Sequence, residues 1–73
     1  MSLSLGRSMK PGDLRRFHEY AFFANEKEFN GCVFLIMPWE SMYDMTILVN
    51  GKMSHNWSYG GLMDNSEPVN EGG

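Results

Sequence analysis

The chain reads as a series of short apolar stretches separated by turn residues, and its pattern predicts strands more readily than helices. Met45–Val49 is a β-branched apolar run, and Lys52–Trp57 alternates polar and apolar positions. Between them lies Asn50-Gly51, the pair a two-residue hairpin turn favours because both central residues take positive φ. Strict alternation in the second arm predicts Met53, His55 and Trp57 on one face, with Lys52, Ser54 and Asn56 on the other. Gly31–Met37 is a continuous apolar run of strand length that ends at Pro38, the pattern of a strand covered on both faces.

The flanking stretches are less decided. Pro11-Gly12 marks a turn before the first element. Asp13–Ala24 fits two periods: alternation from Leu14 gives a strand, whereas an Asp13 cap with Leu14, Phe17 and Ala21 on one face gives a helix. Bulky Phe17, Tyr20, Phe22 and Phe23 favour the strand, and the long loop from His18 to Asn30 leaves room for one short helix. Ser58–Leu62 reads as a tight turn that returns Leu62 to the core. Glu67-Pro68-Val69 reads as a short closing strand, with Pro68 suited only to an edge. Residues 9–69 then form one domain. The ends, 1–8 and 70–73, are tails, of which Met1-Ser2-Leu3 and Glu71-Gly72-Gly73 have the look of expression-vector residues.

Composition adds three constraints. At 73 residues the core is thin, so two Trp, three Tyr and five Phe must supply much of its area. A single cysteine, Cys32, excludes an intrachain disulfide and a cysteine-built zinc site. No stretch approaches the roughly 20 apolar residues of a membrane span, and no signal-peptide pattern opens the chain, so a soluble, non-secreted protein is expected. Net charge is −3 but uneven: residues 1–16 carry four basic residues against one acid, and the remainder two against eight. An acidic body repels phosphate backbones and disfavours generic nucleic-acid binding.

Three pieces of the chain carry a family resemblance: Met9-Lys10-Pro11-Gly12-Asp13-Leu14-Arg15-Arg16-Phe17, Gly31–Met37 with Pro38-Trp39, and Ile47–Leu62. Together they resemble small SH3-like β-barrels, in particular short uncharacterised proteins of tailed, often marine, bacteriophages. The resemblance implies a mainly β fold, a barrel of about five short antiparallel strands, and a place in the host cytoplasm or the virion; it implies no activity. Arg15 departs from it, standing where such barrels usually have an apolar residue. The proline-peptide groove residues of signalling SH3 domains are absent.

Candidate chemistry is sparse. His18 and His55, with Glu19 or Asp44, lack the spacing of a metal site or an acid–base pair, and a packed or hydrogen-bonded His55 is the expectation. Cys32, set in an apolar strand, reads as an inert buried thiol rather than a nucleophile. Gly60-Gly61 lacks the lysine and helix of a phosphate loop. No cofactor, metal ligand set or catalytic constellation is expected.

The better candidate is a binding surface. Trp39, Tyr43, Trp57 and Tyr59 flank the third and fourth strands and would serve a peptide groove or a base-stacking platform. The plainer alternative has Trp57 capping an open barrel end and Trp39 packing after Pro38. Lys10 with Arg15 or Arg16 would hold phosphates, although the two arginines, adjacent in a strand, point to opposite faces. The resulting expectation is a non-enzymatic interaction or accessory module with a protein partner or a second copy. Its competitor is a single-stranded nucleic-acid-binding barrel. The strand near Glu67–Val69 is the expected open edge for assembly.

Overall fold

A computed structural model describes residues 9–22 and 24–69, with backbone alone for residues 24–26. The expected tails 1–8 and 70–73 lie outside the described residues. The fold is mainly β: β1 (Leu14–Phe17), a 3-10 helix (Ala24–Phe29), β2 (Val33–Ile36), β3 (Met45–Val49), β4 (Lys52–Trp57), α1 (Tyr59–Asn65) and β5 (Ser66–Pro68). All strand pairs are antiparallel, in one open sheet ordered β4-β3-β2-β1-β5.

The turns follow from local chemistry. Gly12 at φ 93° follows Pro11, and the Asp13 amide donates to the Lys10 carbonyl at 3.1 Å, the arrangement of a type II turn. Asn50 and Gly51 take φ 55° and 77° and close the β3–β4 hairpin at the Val49–Lys52 pair, as their sequence predicts. The short helix expected between residues 18 and 30 is the 3-10 segment. The loop before it is held by Asn30, whose side-chain oxygen accepts from the Phe22 amide and whose side-chain nitrogen donates to the Phe22 carbonyl, both at 3.0 Å.

The stretch read as a tight turn at Ser58–Leu62 is instead the start of α1. Two glycines argue against a helix by propensity. They are outweighed by Ser58, whose hydroxyl caps the Gly61 amide at 3.0 Å, and by full burial of Leu62. Glycine suits position 61 because a Cβ there would lie 2.8 Å from the Ser58 hydroxyl oxygen.

One face of the sheet carries the core: Phe17, Phe34, Ile36, Met45, Ile47 and Val49, closed by Met9 and Leu62. Four rings meet Phe17: Phe34 at 4.2 Å, Phe22 at 5.0 Å, Trp57 at 5.4 Å and Phe29 at 6.0 Å. The strand alternative for Asp13–Ala24 holds only over Leu14–Phe17, and its inward residues are Arg15 and Phe17, leaving Leu14 half-exposed. The two-sided cover expected for β2 is absent from the described structure: Val33 is 42% exposed, because the single helix and the 3-10 segment leave the outer sheet face without a second layer.

Arg15 occupies an interior position at 4% exposure. Its Nε donates to the Ser66 hydroxyl at 2.7 Å and its Nη2 to the Ser66 carbonyl at 2.9 Å; the hydroxyl in turn donates to the Leu62 carbonyl. The chain of bonds ties β1 to both β5 and the end of α1. Burial lowers the guanidinium pKa from its ordinary value, with Asp13, Tyr59 and Glu67 pulling it back up. The group stays charged at neutral pH. A depressed pKa on a cation means folding opposes the charge at every pH below it, so no stability transition from Arg15 falls in the ordinary pH range.

Ser66→Ala strips Nε of its buried acceptor and is expected to cost about 1–3 kcal/mol in denaturant unfolding. Adding Arg15→Met to that variant removes the stranded charge and should recover most of the loss. A double variant no more stable than Ser66→Ala alone would contradict this account.

Candidate functional site

The position of Trp57 depends on a β-bulge. Ile47 pairs with Ser54 and Met45 with Trp57, so two residues of β4, His55 and Asn56, oppose Thr46 alone. Asn56 takes φ 70°, a left-handed conformation that asparagine tolerates better than most side chains. The extra residue breaks the predicted alternation. Met53 and His55 face outward and are exposed, whereas Ser54 and Trp57 share the core face and the Trp57 Nε1 donates to the Ser54 hydroxyl at 2.8 Å.

Half-buried, Trp57 stands in an aromatic group with Phe22 at 5.8 Å and Phe29 at 5.7 Å. These three rings, with Ser54, His55 and Asn56, line a depression of about 390 Å³. A second depression of about 350 Å³ shares Phe29 and Ser54 with it and continues past Met53 to Glu28 and Lys52. The two form one trough between the 3-10 segment and β4.

The four aromatics singled out from the sequence do not share a cluster. Trp39 packs edge-on against Tyr59 at 5.9 Å, and the Tyr59 hydroxyl accepts from the Met9 amide at 2.9 Å. Tyr43 stands free at 86% exposure. Among the described residues no ring contact joins Trp57 to these three. Of the basic candidates, Lys10 lies 3.9 Å from Asp13, Arg16 is exposed on the outer face opposite Val33 and Glu67, and Arg15 is interior. The arginines do point to opposite faces. The phosphate-holding role considered for Arg15 gives way to one in the core, because its bonds are to Ser66.

His18 stacks on Tyr20 at 5.3 Å, and His55 Nδ1 lies 3.0 Å from the Thr46 hydroxyl. Cys32, half-buried rather than buried, donates its thiol to the Glu28 carbonyl at 3.3 Å. Among the described residues no group of three or more His, Cys, Asp or Glu is placed to hold a metal ion.

The outer face holds what sequence reasoning missed. Leu14 pairs with Leu35, Leu35 with Leu48, and Leu48 with Met53, so four apolar side chains form one row across β1, β2, β3 and β4. The ends of the row, Leu14 and Met53, are each 49% exposed, and Val33 lies beside it. Its sequence signal is the unbroken apolar run of β2, which predicts cover on both faces while the described residues supply it on one.

Asn56→Val, which forces a β-branched residue into the left-handed region, should cost about 1–2 kcal/mol and disturb Trp57 emission. Asn56→Gly should stay within about 0.5 kcal/mol of the parent. Equal stability of the two variants in urea titration would remove the bulge from the account.

No family model, curated protein or solved structure matches the chain, so its functional reading rests on the geometry of these surfaces.

Proposed function

We propose that the chain is a non-enzymatic protein-interaction module, an SH3-like accessory domain whose contact surface is the outer sheet face. The observation that carries this reading is the row Leu14–Leu35–Leu48–Met53, apolar side chains aligned across four strands with no layer over them among the described residues. Contiguous exposed apolar surface of this kind marks association surfaces in folded proteins. Five antiparallel strands with β5 paired to β1 support the SH3-like reading; an origin in tailed bacteriophages rests on the resemblance alone. A second copy is the simplest occupant of the row, because a row of similar side chains is self-complementary about a two-fold axis.

The nucleic-acid reading is weaker. Its stacking residues are divided among three places, and Arg15, one of its three proposed phosphate ligands, is interior.

Sedimentation velocity should show reversible self-association as concentration rises to about 1 mM, the weak regime expected for a small interface, and Leu35→Lys should abolish it. Intrinsic tryptophan emission should stay flat on titration with single-stranded oligonucleotides at low salt. A chain that remains monomeric, and whose emission is quenched by oligonucleotide with a steep salt dependence, would reverse the assignment.

A further inference from the structure

The trough along β4 is a second binding feature, which shares Met53 alone with the outer row. Its floor is apolar and its wall is a sheet edge. In the two-residue hairpin, Val49–Lys52 and Ile47–Ser54 are the hydrogen-bonded pairs, so the intervening Leu48–Met53 pair directs its backbone groups outward. The Met53 N–H and C=O therefore point away from β3, along the outermost strand of the sheet. Among the described residues no backbone bond from outside the hairpin ladder reaches Lys52–Trp57.

We propose that this trough binds an extended peptide segment of another protein by strand addition to β4, centred on Met53. Strand addition satisfies the outward N–H and C=O, and alternate side chains of the incoming segment then point to opposite faces. One of them enters the depression formed by Phe22, Phe29 and Trp57 and is apolar. The charges at the other end specify its neighbours. Glu28 and Lys52 line the same depression without pairing, since among the described residues the one ion pair within 4.0 Å is Lys10–Asp13. A segment carrying a basic residue opposite Glu28 and an acidic residue opposite Lys52 complements both.

A second copy is a poorer occupant of this edge. Lys52 beside the turn and the bulge at Asn56 are devices that keep like strands from pairing, and they confine the accessible ladder to a few residues. The opposite edge, β5, which the sequence singled out for assembly, is three residues long and contains Pro68, which has no N–H to offer.

The test is selection of a displayed random 12-residue peptide library on the immobilised full chain, followed by synthesis of the recovered peptides. Bound peptide should shift the Met53 amide and the Trp57 indole in NMR spectra. Methylation of the peptide nitrogen that donates to the Met53 carbonyl should weaken binding by roughly two- to tenfold, the effect of losing one hydrogen bond. Met53→Pro should abolish binding and Met53→Val retain it. Leu35→Lys, which disables the outer row, should leave peptide affinity unchanged, so failure here and failure of the outer-face reading are distinguishable. Recovery of no binder, binders indifferent to N-methylation, or peptide-induced shifts confined to Leu14, Leu35 and Leu48 would overturn the proposal. So would a dimer abolished by Met53→Pro and untouched by Leu35→Lys, which would place a second copy on the edge.

Discussion

The packing of Phe17 is the contact on which the rest of the structure depends. Its ring is fully buried and touches rings from β2, the loop after β1, the 3-10 segment and β4. In a chain this short, one side chain that joins four segments does what a larger domain spreads over a whole core layer. The backbone repeats the link: the Phe17 amide donates to the Cys32 carbonyl and its carbonyl accepts from the Gly31 amide, both at 3.0 Å. The trough then exists because the rings around Phe17 are covered on the inside and half-open toward β4.

Arg15 complements Phe17 from the same strand face. A buried guanidinium is costly to desolvate, and its bonds to Ser66 and onward to Leu62 tie the end of α1 and β5 to the sheet. The arrangement fixes which side of β1 is interior. Leu14, the better hydrophobe, is thereby placed outside, where it begins the exposed row. The outer surface of this protein is thus a consequence of how its interior is anchored.

Much of the architecture was legible in the residues: the Pro11-Gly12 turn, the Asn50-Gly51 hairpin, β2 ending near Pro38, and Pro68 at an edge all carry local chemistry that leaves few alternatives. What escaped depends on contacts distant in sequence. The bulge at Asn56 reversed the facing of Trp57, and its only local sign is an asparagine able to take positive φ. Helix α1 contradicts the propensity of Gly60 and Gly61 and is recovered by a cap and by Leu62, a tertiary effect. Of the proposed binding residues, Trp57 alone lines the trough, because its partners Phe22 and Phe29 come from the loop after β1 and the 3-10 segment, whose path the sequence left open.

The central claim is that the sheet buries one face and leaves the other as a contact surface. Methyl NMR with a soluble paramagnetic agent tests it most directly. In dilute solution the methyls of Leu14, Leu35, Leu48 and Met53 should broaden while those of Ile47 and Leu62 do not; as protein concentration rises, the first set should become shielded. Outer-row methyls shielded in the dilute monomer, or broadened equally at every concentration, would contradict the account.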